Sequence, residues 1–146
     1  MNETIRNIMG RRSIRKYKDR PVDRETLDAL LKAGAAAPSA SNRQPWEFIV
    51  ITSREMREGL SRSHPYARML LQAPVCIIVC GNKERFYPDK EVQDYWAQDA
   101  AAVTENILVA AQSRWGWGRA GAASSRARSG CRPYRSCCPC PTASSR

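Results

Sequence analysis

Pro38-Ser39-Ala40-Ser41-Asn42-Arg43-Gln44-Pro45-Trp46-Glu47-Phe48-Ile49-Val50 is the stretch whose reading decides the fold. Its first half packs hydroxyl, amide and guanidinium groups between two prolines, which is loop chemistry. Its second half, Trp46 to Thr52, is aromatic and β-branched, which predicts a strand. Asn42 and Gln44 each carry both a donor and an acceptor. Such a loop suits a ligand edge on which carbonyl oxygens flank an N–H. It equally suits a hydrogen-bonded turn with Trp46 as a core anchor.

Upstream, Asp23 is a good helix cap, and Leu27, Leu30, Leu31 and Gly34 follow at i, i+3, i+4 and i+7. The spacing predicts a helix over about residues 24–36, ended by Pro38. A short helix is expected over Thr4 to Gly10. Downstream, Ser53 can cap a short helix carrying Met56 and Leu60. Pro74 to Gly81 is apolar on both faces, as in a strand central to its sheet, and Cys76 and Cys80 within it read as small buried hydrophobes. Beyond the loop at Tyr87-Pro88-Asp89, a long helix is expected over Glu91 to Ser113, with Val92, Trp96, Ala100, Val103, Ile107 and Ala110 on one stripe.

A second constellation lies near the amino end. Arg11, Arg12, Ser13 and Arg15 place three guanidinium groups and one hydroxyl within five residues. Forked cationic donors on a short connection suit a phosphate monoester, because bidentate charge-assisted hydrogen bonds fix both charge and orientation. The same run also reads as a solvated basic stretch or a weak nucleic-acid patch.

The formal charge of +10 invites a nucleic-acid reading of the whole chain, but its distribution argues otherwise. Residues 114–146 carry seven Arg and no acidic residue, which leaves only +3 for residues 1–113. Two units are therefore expected: a folded part over 1–113, and a tail over 114–146 in which no aliphatic residue is larger than Ala. Such a tail cannot bury enough apolar surface to offset its conformational entropy and should be disordered. The apolar runs are far shorter than the roughly 20 residues of a membrane span, and neither a span nor a signal peptide is expected. His64, the one histidine, precedes Pro65 in an expected surface loop. The cysteines of the tail have no nearby His or Asp and lack paired C-x-x-C spacing, so no metal site is expected.

Together and in this order, the runs Arg11 to Arg15 (with Tyr17 behind it) and Pro38 to Trp46 (leading into Glu47-Phe48-Ile49-Val50) resemble the nitroreductase family. The strand Val75 to Gly81 and the helix holding Asp99-Ala100-Ala101-Ala102 and Asn106-Ile107-Leu108-Val109-Ala110-Ala111 extend the resemblance over essentially all of residues 1–113. It implies an α+β fold, a mixed sheet flanked by helices with its C-terminal part truncated. It also implies an FMN-dependent oxidoreductase that takes hydride from NADH or NADPH and reduces a nitroaromatic, quinone or similar small-molecule acceptor.

Residue by residue, the resemblance implies that Arg11, Arg12, Ser13 and Arg15 hold the FMN phosphate and ribityl chain. Pro38, Ser39, Ala40, Asn42 and Gln44 would approach the flavin from the partner subunit of a cytoplasmic homodimer. The flavin carries the reaction, so no catalytic acid, base or nucleophile is expected from the protein. The alternatives are an inactive truncated family member, or a basic protein that binds nucleic acid non-specifically through its Arg-rich tail.

The vocabulary of the tail is also that of a G/C-rich gene read out of frame. Trp has a single codon, so Trp115-Gly116 and Trp117-Gly118 each force a Gly two bases along. Permitted codons then turn Arg114 to Ala122 into Leu-Gly-Leu-Gly-Ala-Gly-Trp-Cys-Gly, the Leu-Gly-x-Gly-x-x-Trp continuation typical of the family. The expectation is a frameshift after Ser113, and the coding DNA decides it.

Overall fold

A computed structural model describes residues 1–18, 20–64, 66–89 and 94–115, with Arg114 and Trp115 described by their backbone alone. The disorder expected from residue 114 does not hold at Arg114 and Trp115, which continue a helix, and from residue 116 on it lies outside the described residues, as does the expected placement of Val92.

Local chemistry starts three of the four described helices. Asn2 accepts from the Ile5 amide to open α1 (Glu3–Gly10), Asp23 accepts from Thr26 to open α2 (Arg24–Ala35), and Ser53 accepts from Met56 to open α3 (Arg54–Ser63). Each cap satisfies an amide that has no partner within its helix. The fourth helix, α4 (Tyr95–Trp115), has 21 residues and is roughly 32 Å long at the α-helical rise. Three 3-10 turns, Ala40–Asn42, Arg68–Leu71 and Lys83–Arg85, lie between these elements.

Two strands form the sheet among the described residues. β1 (Trp46–Ile51) and β2 (Cys76–Gly81) pair antiparallel, from Trp46 opposite Gly81 to Ile51 opposite Cys76. Residues 52–75, with α3 among them, connect the two. The α+β class expected from the sequence is the one observed. β2 was expected to be central in its sheet; among the described residues it pairs on one side only, and all six of its residues are half-buried. One of its apolar faces is covered by α4, which packs against β2 and β1. Cys76 and Cys80 form no disulfide among the described residues and are half-buried, and burial pushes the Cys76 thiol above its ordinary range.

The core forms where α2, β1 and α4 meet. Leu30, Ala37, Trp46, Val103 and Ile107 are buried together, with Phe48, Ile77 and Val79 packed against them. Val103 is fully buried, so the apolar stripe expected on the long helix does face the core. Gly34 explains how closely α2 and α4 approach, since a Cβ there would sit 2.9 Å from Ile107 Cγ1. Gly81 plays the same part at the end of β2. A Cβ on it would come within 2.8 Å of both Phe86 and Trp96, whose rings stack 5.2 Å apart at 5°.

His64, expected on the surface, is half-buried at the end of α3, with its ring edge-on to Tyr66 at 6.0 Å. Among the described residues no helix is long and apolar enough to cross a membrane.

Candidate functional site

The run from Arg11 to Arg15 leaves the end of α1 as an extended, largely exposed segment. Arg11 is tied to α4 by an ion pair with Glu105 at 3.1 Å. Arg12 donates to the carbonyls of Met9 (2.8 Å) and Arg11 (2.9 Å), so its guanidinium folds back on the end of its own helix. Ser13 and Arg15 are exposed, and their side chains have no hydrogen-bond or ion-pair partner among the described residues. The four expected phosphate ligands thus share one segment. One guanidinium is paired, one is turned back on the backbone, and one has no partner among the described residues.

The loop from Pro38 to Pro45 is built very differently. Ser41, Asn42 and Gln44 all have positive φ, at 51°, 53° and 48°. A non-glycine residue in the left-handed region is disfavoured by roughly 1–2 kcal/mol, so three within four positions need support from the surrounding structure.

That support is visible bond by bond. The Ser39 hydroxyl oxygen accepts from the Gln44 amide at 2.9 Å, and the Ser39 carbonyl accepts from the Asn42 amide at 3.0 Å. The Pro45 carbonyl accepts from the Asn82 amide at 2.9 Å, joining the loop's end to the residue after β2. Arg43 donates from Nε to the Arg85 carbonyl at 2.9 Å and lies over the Tyr87 ring. Asp99 of α4 accepts the Ala40 amide proton on Oδ1 at 3.0 Å.

With the backbone held this way, the Asn42 and Gln44 side chains are exposed and make no hydrogen bond to any described residue. Two amide groups, each a donor and an acceptor, are therefore left for a ligand edge. The turn reading is also fulfilled, because Trp46 is the buried anchor at the loop's exit.

The two constellations meet α4 at different points. Glu105 and Asp99 are six residues apart, which is about 9 Å along the helix and roughly 120° around it. Sequence reasoning missed both carboxylates. Asp99 does leave a signal, for it stands four residues before Val103 and so on the buried face of the helix. A carboxylate placed there requires a donor. Glu105 gives no comparable sign.

Two shallow clefts flank these features. One, of about 420 Å³, is lined by Arg43, Lys83, Glu84, Phe86, Tyr87 and Pro88 beside the loop. The other, of about 450 Å³, lies between α1 and α4 and includes Ile8, Ala33, Glu105 and Val109. Ile5, Ile8 and Met9 of α1 are exposed at 47, 53 and 62%.

An α+β scaffold that presents a cationic segment and a stiffened amide-bearing loop is suited to a phosphorylated, ring-bearing cofactor. The cationic donors match a phosphate, and the free amide pairs match the pyrimidine edge of a flavin, so the residues present fit FMN. Residues 8–63 match the model of the nitroreductase family, and the chain belongs to that family.

A protein of Archaeoglobus fulgidus assigned as an NADH dehydrogenase/NAD(P)H nitroreductase is 45% identical over 113 residues, covering 77% of this chain and 63% of that protein. The FMN reductase [NAD(P)H] of Bacillus subtilis is 32% identical over 111 residues, covering 76% of this chain and 45% of the relative. Among solved structures, one from Desulfovibrio desulfuricans, assigned as a nitroreductase and in complex with FMN, superposes with a TM-score of 0.69 at 36% identity. That match covers 77% of this chain and 63% of the other. The chain thus spans less than two thirds of the length of these relatives.

Proposed function

We propose that the protein is an FMN-dependent oxidoreductase that carries reducing equivalents from NADH or NADPH to a nitroaromatic, quinone or similar small-molecule acceptor. When bound, FMN supplies the two-electron chemistry, accepting hydride from the reduced nicotinamide and passing electrons on. The observation that carries the reading is the loop at 38–45. Its backbone is held in a disfavoured form while the Asn42 and Gln44 amides are left without partners among the described residues. Strain of this kind concentrates at ligand sites.

In this reading Arg11, Arg12, Ser13 and Arg15 hold the phosphate and ribityl chain. Pro38, Ser39, Ala40, Asn42 and Gln44 orient the ring. Arg15 supplies charge without first breaking an ion pair, whereas Arg11 exchanges Glu105 for the phosphate or shares it. The protein binds and orients, and none of its side chains is assigned a proton-transfer role.

The reading includes a cytoplasmic homodimer with one flavin at each of two shared sites. Two observations support it. The two constellations sit on different sides of α4, as expected if each flavin takes its phosphate contacts from one chain and its ring contacts from the other. The exposed Ile5, Ile8 and Met9 beside the α1–α4 cleft also form an apolar face that a second copy would cover. The relatives named for NAD(P)H and FMN support the cofactor pair.

The test is an absorbance spectrum of the purified chain after incubation with FMN and desalting. Retained bands near ~450 nm, followed by NADH or NADPH oxidation, are expected of a flavoenzyme. A colourless chain would overturn the reading for this polypeptide.

A further inference from the structure

We propose that Asp99 is a positioning residue: by accepting the Ala40 amide proton, its buried carboxylate sets the left-handed turn that presents Asn42 and Gln44 to the ligand. The proposal deepens the flavin reading above and rests on it for the identity of that ligand.

Asp99 is 8% exposed on α4, and the bond it receives spans 59 residues of sequence. A buried carboxylate is costly unless it is hydrogen-bonded, and an amide N–H is one of the few partners a loop backbone can offer it. Its helix is a rigid support. Val103, one turn further along α4 on the same face, is fully buried in the core.

Ala40 is the residue immediately before the left-handed run, so its bond to Asp99 fixes the Ser39–Ala40 peptide plane, one unit ahead of the turn that Ser41 and Asn42 make. The other bonds act elsewhere. The two that Ser39 accepts close the turn on itself, and the Asn82 amide's bond to the Pro45 carbonyl and the Arg43 bond to the Arg85 carbonyl tie its later residues to the segment after β2. Without Asp99 the turn can still close locally. It loses its registration against α4, where the core is.

The inference separates positioning from general stability. Asn can still accept a hydrogen bond at this position, whereas Ala cannot. The test compares the full-length wild type with Asp99→Asn, Asp99→Ala and Leu60→Ala. The last removes a buried side chain in α3, which packs on the turn at Arg68–Leu71, and so serves as a destabilised control. Amide hydrogen exchange at Ala40 is read first, in the absence of FMN. Protection is expected in the wild type and in D99N, and is expected to be lost in D99A but kept in L60A under conditions where all four are folded. Protection that survives in D99A, or falls as far in D99N or L60A, would overturn the proposal.

FMN titration by fluorescence quenching comes second. D99A is expected to bind at least about tenfold more weakly than wild type, with D99N and L60A within about threefold, a span set by the loss of one charge-assisted hydrogen bond. Unchanged affinity in D99A would also overturn the proposal. If the wild type itself bound no FMN, the flavin reading would fail, while the exchange pattern would still decide whether Asp99 sets the turn.

Discussion

The two arms of the candidate site are built on opposite principles. The segment from Arg11 to Arg15 is rich in charge and poor in structure, joined to α4 by one ion pair with side chains 30% and 53% exposed. The loop from Pro38 to Pro45 bears a single charge and is held from several directions at once, with three left-handed residues fixed between α2 and β1. The difference teaches how one ligand can be met in two ways. A phosphate attracts from any direction and tolerates a mobile partner, whereas the edge of a flat ring demands donors and acceptors at set positions. Preorganisation is concentrated on the arm where geometry matters.

The contrast can be broken most severely at Trp46, which leads from the loop into β1 and is buried in the core. Trp46→Ala is expected to cost about 3–5 kcal/mol, the range for truncating a large buried aromatic. That is a large fraction of a small domain's stability, so thermal unfolding should lose its cooperativity. A melt shifted by only a few degrees would mean that the loop is not anchored through this residue.

The opposite arm should respond in binding and not in fold. Arg15→Ala is expected to weaken FMN binding by about 10- to 100-fold, which corresponds to a charged hydrogen bond of ~1.5–3 kcal/mol. Thermal stability and Ala40 amide protection should stay unchanged, because Arg15 makes no bond to the described residues. Equal loss of both would erase the distinction between the arms.

The smallest effect sharpens the comparison. Ser41 has φ 51° but is not among the residues assigned to the ligand. Ser41→Gly removes a left-handed penalty of ~1–2 kcal/mol and adds a glycine's extra unfolded-state entropy of ~0.5–1 kcal/mol. The net expectation is a gain of about 0.5 kcal/mol, read as a small rise in melting temperature. A fall would show that the turn is relaxed at this position.

Much of this was legible before any coordinates. Asp23 and Ser53 act as caps because helix termini require acceptors close in sequence, and of the expected α2 stripe Leu27, Leu30 and Gly34 are buried while Leu31 is half-buried. The two site motifs were legible for the same reason, since each is a local cluster whose chemistry needs no distant partner to be recognised. The centrality expected for β2 is not seen among the described residues, where it pairs with β1 alone; apolar composition reports burial, to which a helix packed on a face also contributes.

By itself, then, the sequence determined the helices, the two strands and the family and marked out the two candidate clusters, all of which rest on spacings of a few residues. Only the tertiary structure decided that Ser41, Asn42 and Gln44 take the left-handed form, that Asp99 holds Ala40 from 59 residues away, and that Glu105 pairs with Arg11. Backbone form in a loop without glycine is set by what surrounds it, and a side chain's partner across a fold depends on how the helices pack. Neither is written in local composition or periodicity.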